Sequence, residues 1–341
     1  MSTVQQAAKP PVASTRAPGG ALQTALGLQR RYPIMQAVAL VAVFVYGAAT
    51  LDGLASASSI RSILVLASLA GLAACGQTML ILMGGFDMSV SGFIVGGALV
   101  VTSLTGKYNI SFGVALVGAI VAAGLMGAMA GQICHRFEIQ PLIVTLATGA
   151  IAVGVVQVQT GGTLAGSSPA WLSRLTSPAA KTFGVGVPPL VVLWVVVTIA
   201  MSVFLHRTVG GRRLMATGAN SRAAEFSLVR TRRVWTLAFA FSAVVAVLVG
   251  VLLAGFAGSV DATLGNPYLF QSVAAVIVGG TVFGGPGDYA RTVLGALFLT
   301  TLTTVLIGHG ASAADQQILY GAIILIAVAV YGRDRALRDR V

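Results

Sequence analysis

Charge is what this sequence has least of. Only 9% of its 341 residues are Asp, Glu, Lys or Arg, against about 25% in an ordinary soluble domain. The apolar share is 56%. A soluble globule has too little interior to hide that much apolar surface. A soluble enzyme is therefore excluded, and so is a disordered chain. Cysteine is scarce as well. Cys75 and Cys134 lie far apart in apolar runs, so no disulfide framework is indicated. The three histidines, His135, His206 and His309, fall at separate ends of apolar runs. None has a helical partner of the kind a metal site needs. There is no phosphate-binding loop: Gly106-Lys107 has Val101 where that motif requires glycine. No Ser–His–Asp or Cys–His arrangement can be assembled, which leaves an intramembrane enzyme without a nucleophile or a metal.

Acids are rarest of all. The nine are Asp52, Asp87, Glu138, Glu225, Asp261, Asp288, Asp315, Asp334 and Asp339. Each reads as part of a loop, a tail or a span end. Transporters driven by ions often keep an ionisable group deep in the bundle, at a cost of at least ~2.5–3.5 kcal/mol. Here the spans offer Gln77, Thr78, Thr145, Thr148, Gln157 and Gln159 instead. Gln77, Gln157 and Gln159 are candidate lining residues of a pathway for a neutral polar solute. The alternative for each is an interhelical hydrogen bond.

What is present is lipid-soluble helix. Runs such as 191–200 are continuously apolar, unlike the alternating strands of a barrel. With about 20 residues per span, the chain reads as an all-α polytopic membrane protein of about ten helices. The segments are 34–51, 60–83, 90–105, 111–133, 141–161, 187–206, 234–257, 270–283, 290–308 and 315–331. The eighth is short and is expected to be tilted or re-entrant. Residues 1–33 read as a flexible cytoplasmic tail without a cleavable signal, and 332–341 as a basic tail.

Orientation follows from the positive charges. With both termini inside, only Arg61, Lys107, Arg174 and Lys181 fall outside, and the other 17 of the 21 Lys and Arg fall inside. The net charge of +12 then reports topology and contact with anionic headgroups. Nucleic-acid binding fits poorly, because the charge is split among loops and tails. Two long polar loops result: 162–186 on the external side and 207–233 on the internal side. Long loops in compact membrane proteins are often functional.

Two turns echo each other. Gly84-Gly85-Phe86-Asp87-Met88-Ser89 follows the second segment, and Gly284-Gly285-Pro286-Gly287-Asp288 follows the eighth. The glycines can adopt the left-handed conformation that ends a helix. Asp87 and Asp288 can each cap the helix that follows, or serve conformational coupling or the substrate. Glycine pairs at four-residue spacing, Gly92/Gly96, Gly127/Gly131 and Gly280/Gly284, permit close helix approach, within one subunit or across a dimer seam.

With these residues in view, the chain resembles the membrane permeases of ATP-binding-cassette importers of the ribose/xylose/arabinose/autoinducer type. GGFDMSVSG at 84–92, GRRLMATGANSRAAEFSLV at 211–229 and VAAVIVGGTVFGGPGDYARTVLGAL at 273–297 match that family's three blocks in order and spacing. The resemblance covers roughly 60–331. It implies a bacterial inner-membrane, multi-pass subunit that is no enzyme and binds no cofactor itself. ATP and Mg would sit on separate cytoplasmic ATPases. An external solute-binding protein, periplasmic or lipid-anchored, would deliver a small neutral solute such as a sugar or polyol. A second permease chain, identical or paralogous, would complete the pathway.

The resemblance also makes 207–233 the coupling loop. Gly211, Arg212, Gly218, Asn220, Ala223 and Ala224 match the loop motif, with Asn220 placed to cap a short helix. The small Ala223-Ala224 pair would let that helix sit in a cleft on the ATPase. The alternative is an exposed basic loop held to headgroups. Two departures stand out. Leu228 occupies a position where the family often has glycine. Tyr268-Leu269-Phe270-Gln271 stands where the family has an acidic pair, so either substrate or gating differs, or the substitution is an ordinary one. The rival function is a self-sufficient secondary transporter or facilitator for a small polar solute.

Overall fold

Helix α2 (Ala57–Leu82) is the axis of the bundle, and its composition explains why. Its second half is built largely of Ala, Gly, Ser and Leu, and every residue from Ala67 to Leu82 is buried. Small side chains let neighbours approach from all directions, which is how membrane helices gain packing without a hydrophobic drive. Around it stand α7 (Pro189–Arg207), α10 (Thr231–Ala257), α11 (Asn266–Val278) and α12 (Tyr289–Gly308). Outside these lie α1 (Ile34–Thr50), α3 (Val90–Leu99, continued as a π-helical stretch Val100–Lys107), α4 (Phe112–Phe137) and α5 (Pro141–Thr160). Short helices α6 (Ala170–Thr176), α8 (Val209–Ala219) and α9 (Ser221–Phe226) lie in the two long loops, and α13 (Ala313–Arg338) closes the chain. The computed structural model describes residues 33–161, 163–164, 168–258 and 260–338. The expected N-terminal tail, apart from Pro33, and the last three residues of the basic tail lie outside them.

A helix lies within or across each of the ten apolar segments. Seven are long and apolar enough to cross a bilayer by length and composition; Ile34–Thr50, Asn266–Val278 and the apolar part of α13 are shorter. The eighth segment is shifted from the expected 270–283. Pro267 sits in the first turn of α11, where its missing N–H costs nothing, and Gly279 follows the last helical residue. Gly280 then turns left-handed, at φ +90°, so 279–283 is not helical. At 13 residues α11 is about 20 Å long, short of the ~30 Å hydrocarbon core. The final helix also continues beyond 331, through Arg338, where a tail was expected. A two-residue antiparallel pair, β1 (Thr163–Leu164) with β2 (Val260–Asp261), is the only sheet among the described residues.

The helices share two ends. At one, Gly218 meets Leu82, His135 meets Thr231, Gln132 meets Arg232, and His206 meets Asp288. At the other, Thr50 meets His309, Tyr108 meets Gln159, Phe112 meets Trp171, and β1 pairs with β2. The first end carries Arg136, Arg291 and the seven arginines from Arg207 to Arg233; the second carries Arg61, Lys107, Arg174 and Lys181.

Of the glycine pairs, Gly92 and the pair Gly127/Gly131 serve packing within this chain. A Cβ at Gly92 would sit 2.5 Å from the carbonyl oxygen of Gly149, and one at Gly127 would sit 2.5 Å from that of Phe239. A Cβ at Gly131 would sit 2.8 Å from the carbonyl oxygen of Trp235, whereas Gly96 faces open space. Gly280 and Gly284 are turn residues, not members of a helix face.

Candidate functional site

The two glycine turns singled out by sequence meet inside the bundle. Gly84 and Gly284 are both left-handed, at φ +82° and +56°, whereas Gly85 and Gly285 are not. The N–H groups of Gly84 and Gly284 both donate to the carbonyl of Ile81, each at 2.9 Å. One orphan carbonyl at the end of α2 thus joins two loops some 200 residues apart. The rings of Phe86 and Phe283 pack beside this joint with centroids 4.3 Å apart. Thr281 lies under Gly287, where a Cβ would overlap its side chain.

The first turn runs back into the bundle, which corrects the placing of Asp87. Expected at a span end, it is 1% exposed. Its Oδ2 accepts from Ser242 Oγ of α10 at 2.6 Å. Its Oδ1 accepts from the Ser89 N–H at 2.8 Å and from the Ser89 hydroxyl. Ser89 precedes α3 and the first helical N–H groups go uncapped by a side chain, so Asp87 fixes the entry to the helix and is not its cap. Gln77 is not at a water-filled surface either. It is fully buried. Its amide donates to the Asp87 carbonyl and its Oε1 accepts from the Asp87 N–H. Thr145 of α5 accepts from the Met88 N–H at 2.9 Å. Three helices, α2, α5 and α10, therefore hold one peptide segment through polar groups, as a bilayer interior requires. Sequence reasoning missed Ser242. The signal was a lone serine in an apolar run, facing Gly76, where a Cβ would come 2.5 Å from its hydroxyl.

Asp288 occupies the N-cap position of α12 but makes no cap bond. Its carboxylate faces α7, accepting from Ser202 at 3.4 Å and lying 3.9 Å from His206 Nδ1. At the first position of α12, Tyr289 is buried and ties three helices. Trp194 Nε1–H donates to its hydroxyl at 3.1 Å, and that hydroxyl donates to the Gly71 carbonyl at 2.7 Å.

The other candidate glutamines lie elsewhere. Gln157 and Gln159 are exposed near the far end of α5, where the Gln159 carbonyl accepts from Tyr108. They do not converge with Gln77. Tyr268 and Gln271, in the stretch that departs from the acidic pattern, are buried in the first turns of α11.

The loop 207–233 is built as two short helices. Thr208 Oγ1 accepts from the Gly211 N–H at 3.1 Å and caps α8. Asn220 Oδ1 accepts from the Ala223 N–H at 3.0 Å and caps α9, as expected from sequence. Gly211 and Gly218 seat α8 on the bundle: a Cβ at Gly211 would overlap the Phe204 and Leu205 carbonyls, and one at Gly218 that of Leu82. Arg212 is exposed. The alanine pair is split: Ala224 is buried against this chain, while Ala223 faces out. Two residues after α9 ends, Leu228 is left-handed at φ +60°, with the Val229 N–H donating to the Ala224 carbonyl at 3.0 Å. That is the geometry glycine usually supplies. Phe226 and Leu228 project from this end, 90% and 91% exposed.

Among the described residues no cluster of three His, Cys, Asp or Glu could hold a metal. Cys75 and Cys134 are buried free thiols. The site is made of polar joints and close backbone contacts between helices.

Comparison with known proteins agrees with this architecture. Residues 59–328 match the family model described as branched-chain amino acid transport system / permease component. The ribose import permease protein RbsC of Escherichia coli (strain K12) is 29% identical over 281 residues, covering 80% of this chain and 85% of the relative. RbsC of Bacillus subtilis (strain 168) is 31% identical over 268 residues, covering 76% and 80%. The autoinducer 2 import system permease protein LsrC of Salmonella paratyphi B is 27% identical over 304 residues, covering 89% and 86%. No solved structure matches. A bundle of membrane-length helices and a family match across most of its length together place this chain in the family of ATP-binding-cassette importer permeases.

Proposed function

We propose that this chain is the translocating subunit of an importer for a small neutral polar solute, a sugar or polyol, with ten crossings and both termini in the cytoplasm. Partner ATPases engage the loop 207–233, an external binding protein delivers the solute near the loop 162–186, and a second permease chain completes the pathway. The relatives named for ribose and autoinducer 2 import support the solute class. The arginine-rich end supports the orientation, by the positive-inside bias.

One observation carries the reading. The unit formed by α8, Asn220 and α9 is a capped, rigid element seated on the end of α2 through Gly218 and Leu82. One residue before Leu82, the Ile81 carbonyl holds both glycine turns. A push on α9 is thus passed by backbone contact to the joint between the turns. ATP binding on a partner can bias such a joint only through differential affinity for its two arrangements. Ala223, exposed on α9, is the contact that a docking cleft requires small, whereas Ala224 serves the internal packing of the loop.

The test is Ala223→Trp in the full chain co-expressed with its ATPase. The expected result is normal membrane insertion with loss of co-purifying ATPase and of uptake. Retained association and uptake would remove the docking role. The burial of Asp87 gives the rival, an ion-driven transporter, one point in its favour. Both carboxylate oxygens are nevertheless engaged by Ser89 and Ser242, which suits a joint better than a carrier site.

A further inference from the structure

A cavity of about 1040 Å³ opens beside α8, between α7 and α10. That is the upper end of the range usual for small-molecule pockets, about 300–1,000 Å³. Its floor is apolar, formed by Met201, Phe204, Leu214 and Phe241. Its rim carries three arginines, Arg213, Arg230 and Arg233. All three are exposed, and no acid lines the cavity with them. The acid nearest in sequence, Glu225, is turned toward Thr231 and His135. The helix faces flanking the opening are apolar and exposed, with Ile199 and Val203 on α7 and Leu237 on α10. In a membrane these faces meet acyl chains.

We propose that this cavity seats one anionic phospholipid of the leaflet at the arginine-rich end, its phosphate held by Arg213, Arg230 and Arg233 and an acyl chain lying on the apolar floor. The chemistry favours this occupant. Guanidinium groups match a phosphate diester in charge and hydrogen-bond geometry. Basic pockets between membrane helices at the cytoplasmic surface suit such headgroups. A transported neutral polyol does not fit, since the floor offers it no hydrogen-bonding side chain. The site joins α7, α8 and α10, so a bound lipid would brace the loop 207–233 against the bundle. This inference rests on membrane insertion alone and stands whether or not an ATPase docks on the loop.

The test is native mass spectrometry of the full chain purified in detergent. It is titrated with dioleoylphosphatidylglycerol and, separately, with dioleoylphosphatidylcholine. One tightly retained phosphatidylglycerol and no retained phosphatidylcholine are expected. Each arginine near an anionic surface contributes roughly a fivefold factor, so Arg213→Gln, Arg230→Gln and Arg233→Gln together should weaken retention on the order of a hundredfold. Ala200→Trp fills the cavity from an exposed position that the arginines do not share, and should also abolish retention. Equal binding of both lipids, or unchanged retention in either variant, would overturn the proposal. So would full displacement by millimolar inorganic phosphate, which would leave only an anion site, or displacement by added ATPase, which would make the cavity part of a protein interface.

Discussion

Ser242 Oγ donates a 2.6 Å hydrogen bond to Oδ2 of Asp87, joining the middle of α10 to a turn 155 residues earlier in the chain. The bond is fully buried, so neither group has water as a substitute. Removing one partner leaves the other unsatisfied, which costs about 1–3 kcal/mol. Ser242→Ala should therefore lower stability by that amount, read as a lower melting temperature in detergent. Asp87→Leu should cost more, because Ser89 and Ser242 both lose their acceptor. Asp87→Asn keeps one acceptor oxygen and should fall between. Equal melting temperatures for all variants would remove Asp87 from its structural role.

Gly250 is packed so that a Cβ would overlap the Ile94 carbonyl of α3. Backbone cannot move aside as a flexible side chain can. Gly250→Ala should destabilise by about 1–3 kcal/mol, the usual cost of overpacking. Gly96→Ala is the matched control, since nothing lies within 4 Å of its Cβ position. The control should melt with the parent protein.

Leu228 holds a left-handed backbone at φ +60° with a side chain 91% exposed. For a non-glycine residue that conformation costs about 1–2 kcal/mol. Leu228→Gly removes the strain and gives back about 0.4–1 kcal/mol through a freer unfolded chain. The net expectation is a small gain in thermal stability. If the exposed leucine is a contact for the ATPase, the same variant should also bind the ATPase more weakly. Stability and association should thus move in opposite directions. A variant that loses both would show that the side chain supports this chain's own fold.

Asp261, in the turn after α10, is held below the usual carboxylate range by the Thr263 hydroxyl and N–H. A depressed carboxylate stabilises the fold above its unfolded value of about 3.9, and that contribution fades as pH falls through the lower folded value. The turn should therefore be indifferent to pH between 5 and 8, by the same reference value. Protection of the Thr263 amide, the intrinsic exchange rate relative to the observed rate at the same pH, should fall only in acid. In Asp261→Asn protection should be reduced already at neutral pH. Reduced protection in the parent protein at pH 6 would contradict the assignment.

Much of the architecture was legible because apolar length and arginine placement are one-dimensional signals. The helix at each apolar segment, the Asn220 cap and the left-handed Gly84 and Gly284 all lie where local pattern puts them. Pairing across the bundle is not local. Nothing near Gln77 announces that its amide will clamp the Asp87 peptide, and nothing near Ile81 that Gly284, some 200 residues on, will share its carbonyl with Gly84. The depth of Asp87 was hidden for the same reason: an acid outside a helix reads as a surface residue, yet this turn folds inward. The split of Ala223 and Ala224 needed the helix axis, which two adjacent alanines do not define. The two acidic positions of the pattern fall at Leu269 and Gln271, in the first turns of α11, where Leu269 is half-buried and Gln271 is buried.

The most direct test is reconstitution of the full chain in liposomes, with and without its partner ATPase, in the presence of the external binding protein and labelled ribose or another small polyol. Accumulation only when the ATPase and ATP are both supplied is the predicted result. Accumulation by the permease chain alone would contradict the account.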